Sequence, residues 1–296
     1  NIHIHIPMKI LIADAGATKT DWVKLSSMAE TSGWSEDRHS GVGISPLHHD
    51  TDMIEEELRL VRAALGDSFD LIRFFGAGIG SPLIAGKMEA ILSEIFTCPD
   101  INASSDMAGA ACALLGEEPG VACIMGTGSN SCHYDGHEID RKSASLGYLL
   151  DDEGGGVAYC RRLLSDIFKG IAPVRIIEEF EKRYSLSVSD VVNRLYRQPA
   201  PNRWIAGFMP FITDNLTDPY IGKLTESQTR WFFDREFRLY SEETLRQEGI
   251  GFVGSVADAL RDEIEEEMKR RGWKLRNIVK RPLDSLVKKF KDSIGL

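Results

Sequence analysis

Two short stretches carry residues that could do chemistry. In "IADAGATKT" (12–20) an apolar run ends in Asp14, followed by Gly16 and the hydroxyls Thr18 and Thr20. In "GTGSNS" (126–131) Gly126, Thr127 and Gly128 form a second turn of the same kind. Turns rich in Gly, Ala, Ser and Thr let backbone amides approach an anion, and hydroxyls add donors. A carboxylate at the strand end, Asp14, could hold a hydrated Mg²⁺, the usual partner of a nucleotide phosphate. Neither turn is a Walker A loop, because no GxxxxGK[ST] occurs in the chain. One such turn alone is ordinary hairpin chemistry. Two, in matching places of two similar halves, favour a nucleotide phosphate.

Phosphoryl transfer also needs a base near the attacking oxygen. Asp106 follows the strand-like "INASS" and opens a helix-like "MAGAACALLG". It is a candidate base or simply the N-cap of that helix, and position alone leaves both readings open. "DDEGGG" (151–156) is a second acidic spot, read otherwise as an acidic turn before a helix.

The elements that must position these residues follow from hydrophobic period. "MKILIAD" (8–14) and "DWVKLSS" (21–27) read as a hairpin, "DLIRFFGAG" (70–78) as a buried strand and "DINASSD" (100–106) as a weak one. Helices are predicted over 52–65, 85–96 and 107–116. The hairpin theme recurs at "VACIMGTGSNSCHYDG" (121–136), followed later by strands at 250–255 and 274–280 and helices at 256–272 and 282–294. This points to a duplicated α/β unit. The expected organisation is a leader or remnant over 1–7, a first lobe over 8–115, and a second lobe over 116–281 with a helical insert at about 157–248. A final helix over 282–296 packs back on the first lobe. Trp231, Phe232, Phe233 and Phe237 in the insert suit helix core better than a nucleobase shelf. In "RDEIEEEMKRR" (261–271) the pairs Glu265–Lys269, Glu266–Arg270 and Glu267–Arg271 suit a solvated helix face.

The 296 residues carry a net charge of −10, which argues against nucleic acid and anionic membranes as partners. No apolar run is long enough to cross a bilayer, and no secretory signal pattern is present. The 5 cysteines form no CxxC pair, so reduced thiols and a cytoplasmic location are expected.

With those residues in place, the chain resembles the N-acetylglucosamine kinase-like group of the BadF/BadG/BcrA/BcrD ATPases, within the actin, Hsp70 and sugar kinase superfamily. The resemblance rests on "DAGATKTDW" (14–22), "GVGISP" (41–46), "FFGAG" (74–78), "SSDMAGAA" (104–111), "MGTGSNS" (125–131), "SLGYLLDDEGGG" (145–156), "PNRW" (201–204) and "GFVGSVA" (251–257), in family-like order and spacing. It implies an α/β fold of two RNase H-like lobes with a nucleotide cleft between them. It matches Asp14, Gly16, Thr18 and Thr20 to the first phosphate loop, and Gly126, Thr127 and Gly128 to the second. Gly254 and Ser255 match the adenosine side, Asp106 the catalytic carboxylate, and Ser45, Ser129, Asn130 and Asp152 positions near the sugar. The implied reaction is transfer of the γ-phosphate of ATP to the 6-hydroxyl of N-acetylglucosamine or a related amino sugar, with Mg²⁺, and the family suggests a homodimer.

Four positions depart from the family pattern, one of them Gly155, which stands where the family has a serine. Ala15 replaces a glycine and is strained if the backbone there needs positive φ. Ser45 replaces an asparagine of the sugar loop, which removes a bidentate contact. Asp151 replaces a glycine, adding a carboxylate that either meets the sugar or faces solvent. Two rival functions remain on this fold: an ATPase that drives a partner enzyme, and a non-catalytic sugar sensor.

Overall fold

The computed structural model describes residues 8–16, 19–28, 33–47 and 49–293. The segment 1–7, expected as a leader, and Thr18 lie outside them. The chain divides into two compact units, 1–116 with 281–296 and 117–280.

The first unit opens with β1 (Lys9–Ala15), β2 (Lys19–Ser27) and β3 (Trp34–Val42). Then come α1 (Thr51–Leu65), β4 (Leu71–Gly76), α2 (Pro82–Ile95), β5 (Ile101–Ser105) and α3 (Asp106–Leu115). Its sheet has the order β3-β2-β1-β4-β5, antiparallel through the first three strands and parallel through the last three. β1 is central and covered on both faces, which is why its residues read as an unbroken apolar run. The period of two still sorts them. Leu11, Ala13 and Ala15 join the core under α1 and α2. Ile10 and Ile12 point to the other face. Asp14 shares the side of Ile10 and Ile12, so strand alternation alone aims its carboxylate away from α1 and α2. β3, which the sequence reading missed, is an edge strand of mostly exposed polar residues and carries no buried stripe to reveal it.

The second unit repeats the plan. It contains β6 (Gly120–Met125), β7 (Ser129–Tyr134) and β8 (Ile139–Lys142). A helical run follows: α4 (Gly156–Phe168), α5 (Val174–Tyr184), α6 (Val188–Arg197), α7 (Pro201–Ala206), α8 (Met209–Asp214), α9 (Pro219–Glu236) and α10 (Glu242–Gln247). β9 (Ile250–Val253), α11 (Ser255–Ala259), α12 (Arg261–Arg271) and β10 (Leu275–Val279) complete it. The sheet order β10-β9-β6-β7-β8 has the same pattern of parallel and antiparallel neighbours as the first. The duplicated α/β unit is therefore visible as topology.

Several local expectations change. The helix expected over 256–272 breaks at Leu260, a buried residue with ψ 33, into α11 and α12. α2 starts at Pro82, three residues earlier than expected, capped by Ser81. Phe232, Phe233 and Phe237 are core, with Phe233 stacked 5.7 Å from Phe252. Trp231 is not core: it is 52% exposed and lies under Arg235, 5.3 Å from the ring centroid. In α12, Glu267 is only 7% exposed and gathers both Arg270 and Arg271. Arg270 thus turns to Glu267 rather than to Glu266, and this part of the helix is packed rather than solvated.

The closing helix α13 (Pro282–Ser293) belongs to the first unit. Leu283, Leu286 and Val287 pack on Ile10, Ile12, Val23, Leu25 and Phe75. Arg38 of β3 reaches Asp284, 2.6 Å away, and Lys291 pairs with Glu36 at 2.5 Å. α13 thus seals the sheet face that also bears Asp14. Leu286→Ala, at a fully buried site, should cost about 3 kcal/mol. The expected reading is a lower denaturation midpoint, whereas an unchanged midpoint would mean that α13 contributes little to the first unit.

Candidate active site

In the first unit the parallel strands β1, β4 and β5 end side by side, Ala15 pairing Gly76 and Gly76 pairing Ser105. Carboxyl ends of parallel strands are where α/β sheets place their ligands. Asp14 sits at the end of β1, and Asp106 is the first helical residue after β5. Ser105, not Asp106, is the N-cap of α3, its Oγ accepting from Ala108 N–H at 3.1 Å. Asp106 is therefore not the N-cap residue itself, although its Oδ1 accepts from the first-turn Met107 N–H at 2.9 Å.

Asp14 faces Asp21 across the β1–β2 ladder. Burial pushes the Asp14 carboxyl up to about 7, with Asp106 and Asp21 adding to the rise and Lys19 opposing it. Asp21 is itself held down against burial by Lys19, 2.7 Å away, and by the Ser40 hydroxyl. Residue types alone did not mark Asp21; counting the hairpin register back from the turn would have.

The turn after Asp14 is closed by Gly16 N–H donating to Lys19 O at 2.9 Å. Ala15 lies within β1 and is not among the residues with positive φ, so the strain expected there does not arise. Thr20 is fully buried, and its Oγ1 accepts from Ile44 N–H at 3.1 Å. It thereby supports the loop that carries Ser45. Ser45 is 1% exposed, its N–H donates to His49 Nδ1 at 3.2 Å, and its Oγ has no hydrogen-bond partner among the described residues.

In the second unit three glycine turns meet. Gly126 N–H donates to Gly128 O at 2.9 Å, tightening the turn between β6 and β7. The first amides of α4 close on it: Gly156 N–H donates to Gly126 O at 2.8 Å and Val157 N–H to Thr127 O at 3.1 Å. Gly155 approaches so closely that a Cβ there would stand 2.5 Å from Thr127 O. Gly254, at φ +129, leaves no room on its other side, since a Cβ would lie 2.2 Å from Met125 O. Ser255 follows as the first residue of α11.

Asp152 adopts φ 66, a left-handed conformation that Asp tolerates better than most residues. Its Oδ1 accepts from Ser129 N–H at 2.8 Å, and Ser129 Oγ accepts from Gly154 N–H at 2.9 Å. Burial pushes the Asp152 carboxyl up; the Ser129 amide opposes this, and Asp151 and Glu153 add to it. Asn130 Oδ1 accepts from Ser131 N–H at 2.8 Å. Asp151 turns back on its own loop, accepting from Leu146 N–H at 3.2 Å. The structure thus gathers Asp14 and Asp106 in one unit, and Gly126–Gly128, Ser129, Asp152 and Gly254 in the other.

Among the described residues no three His, Cys, Asp or Glu side chains form a metal cluster, and no helix is long and apolar enough to cross a membrane. Searches of family models and of curated proteins return no match. Solved structures do match. A chain from Porphyromonas gingivalis provisionally named as an N-acetylglucosamine kinase is 35% identical, with a TM-score of 0.88 over 96% of this chain and 99% of that one. One of the same provisional name from Chromobacterium violaceum is 17% identical, with a TM-score of 0.69 over 95% and 98%. An MreB of Spiroplasma citri bound to AMPPNP, 9% identical over 97% and 95%, shares the fold at a TM-score of 0.53. The two mixed sheets, their shared topology and the 35% identity over nearly the full chain place this protein in the N-acetylglucosamine kinase-like family of actin-type ATPases.

Proposed function

We propose that the protein is an ATP-dependent sugar kinase that phosphorylates the 6-hydroxyl of N-acetylglucosamine or a close relative. The observation that carries this reading is the Asp14–Asp106 arrangement: two carboxylates at the carboxyl ends of parallel strands, Asp14 buried and raised with Asp106 adding to the rise, and Ser105 rather than Asp106 the N-cap of α3. The provisional name of the 35% identical chain supports the sugar class.

In this reading Asp106 accepts the proton of the sugar hydroxyl while the hydroxyl oxygen bonds to the γ-phosphorus. The bond from that phosphorus to the bridging oxygen breaks, and ADP leaves. Gly16 and Thr18 bind phosphate, with Thr20 supporting the loop that carries Ser45. Gly126, Thr127 and Gly128 bind phosphate from the second unit, and Gly254 and Ser255 line the adenosine. Ser45, Ser129, Asn130 and Asp152 orient the sugar.

The residues fit a Mg²⁺ carried in with the nucleotide. A carboxylate raised to about 7 by burial, with two acidic neighbours adding to the rise, is a site that a cation would relieve. One carboxylate with waters and phosphates suffices for Mg²⁺. Asp14 would hold it through water, and the ion would neutralise phosphate charge. Against a partner-driven ATPase with a cysteine-held cluster, Cys123, Cys132 and Cys160 are buried, and burial pushes the Cys123 and Cys160 thiols up, away from the thiolate a cluster needs.

The decisive assay is ADP release with Mg-ATP across N-acetylglucosamine, glucosamine, N-acetylmannosamine, glucose and no sugar. Release that depends on one sugar is expected; equal release in every well would overturn the kinase reading in favour of an ATPase. Asp106→Asn should keep ATP binding and lower kcat by about 10²–10⁴-fold, and a fully active variant would remove Asp106 from the role of base.

Asp14 links the site to stability. Its folded value near 7 lies above the ordinary 3.8, so between those pH values the folded state holds a proton that the unfolded state has lost. Stability of the ligand-free protein therefore falls as pH rises from about 4 to 7 through this group. Asp14→Asn should melt higher than the parent at pH 8, converge with it near pH 4, and lose turnover. A variant that melts lower at pH 8 would contradict the buried, repelled carboxylate.

A further inference from the structure

Asp152 holds a left-handed conformation on a loop with two glycines beside it, and something must keep that loop in place. One face of α9 does so. Gln228 Nε2 donates to Glu153 O at 3.0 Å, and Arg235 Nε donates to Glu153 Oε1 at 2.6 Å. Between them the Phe232 ring lies against Gly154, where a Cβ would be only 2.6 Å from it. One residue further, Glu236 accepts from Ser131 Oγ at 2.6 Å, and Ser131 is hydrogen bonded to Tyr240 Oη at 2.7 Å. Ser131 lies two residues along β7 from Ser129, on the same buried side of the strand.

Residues 228, 232, 235 and 236 recur at helical spacing, so one stripe of one helix reaches the segments that carry the two partners of the Ser129–Asp152 hydrogen bond, through Glu153, Gly154 and Ser131. From one side it fixes the loop through Glu153 and Gly154. From the other it fixes β7 through Ser131. Glu153 is gripped twice, by its carbonyl and by its carboxylate, and its carboxylate is mostly buried while Arg235 remains half exposed. A loop residue held at both ends has little freedom left, and Asp152 is its immediate neighbour.

We propose that α9 is the positioning element of the sugar half-site in the second unit, with Gln228 and Arg235 as positioning residues that set the placement of Asp152 through Glu153. This rests on the sugar-kinase reading for its consequence, though not for its geometry. Their hydrogen bonds go to Glu153, next to Asp152, whereas Gly155 and the first amides of α4 meet the Gly126–Gly128 turn. Their loss should therefore fall more on sugar recognition than on nucleotide recognition.

The test combines kinetics with hydrogen exchange on the full chain, using Gln228→Ala, Arg235→Ala and Arg235→Lys. Without ligand, amides over 151–155 should exchange faster in the two alanine variants, while those of β6 and of Gly156 and Val157 keep their protection. With the sugar that the panel identifies, KM for sugar should rise about tenfold, the scale of one lost charge-assisted hydrogen bond. KM for ATP should move far less. Arg235→Lys, which keeps the charge, should recover part of the loss. Because Arg235 is half exposed, its variants fold even if Gln228→Ala does not. Unchanged sugar KM in Arg235→Ala, or equal rises in both KM values, would overturn the proposal. If the parent phosphorylates no sugar, the kinase reading fails by itself; exchange over 151–155 then still decides whether α9 holds the loop.

Discussion

The burial of one carboxylate organises the first unit. Asp14 stands at the end of a strand covered on both faces, opposite Asp21 and near Asp106, with Lys19 the cation that opposes them. A folded protein tolerates such a group only by raising its affinity for a proton or by offering it a cation. The surrounding architecture serves that placement. Strand alternation turns Asp14 to the side of Ile10 and Ile12, α13 closes that side, and Ser105 takes over the capping of α3 so that Asp106 is not consumed by it. In the ligand-free protein such a carboxylate lowers stability near neutral pH, a cost that a bound cation would offset.

The second unit solves a different problem, the close approach of backbone to backbone. Three turns meet where side chains would not fit: Gly254 lies against Met125, Gly155 against Thr127, and Gly128 against Asp152. The first amides of α4 are spent on carbonyls of the Gly126–Thr127 turn. The helix therefore shapes the turn and does not itself offer a free N-terminus. Rigidity comes from outside the turns, through α9 and the core around Phe232 and Phe233. The long helical run between β8 and β9 is thus part of how the site is held.

Much of this was legible in the residues. Both hairpins, the parallel strands that follow them and the duplicated plan could be read from apolar period and turn composition. So could the candidate residues at strand ends, because position at the end of a strand is a one-dimensional property. The edge strand β3 was not legible, since nothing on it is buried in a regular stripe. The break at Leu260 was missed because helical period runs through it unbroken. Trp231 was misplaced with its aromatic neighbours: a helix turns by 100° per residue, so adjacent aromatics need not share a face. Ala15 looked strained only by analogy, and its place inside β1 removes the strain.

The sequence by itself determined the fold class and which short segments could meet phosphate, because both follow from local period and from the conformational freedom of glycine. It also placed the chain in its family through motif order. Only the tertiary structure decided that Ser105 is the N-cap of α3, that Thr20 supports a loop, that Asp151 turns back on its own segment, and that Glu267 is buried. It alone revealed the grip of Gln228 and Arg235 on Glu153, made across 75 and 82 residues of chain. Contacts of that separation depend on how helices pack on the sheet. Neither residue type nor spacing along the chain encodes that packing in a form that can be read locally.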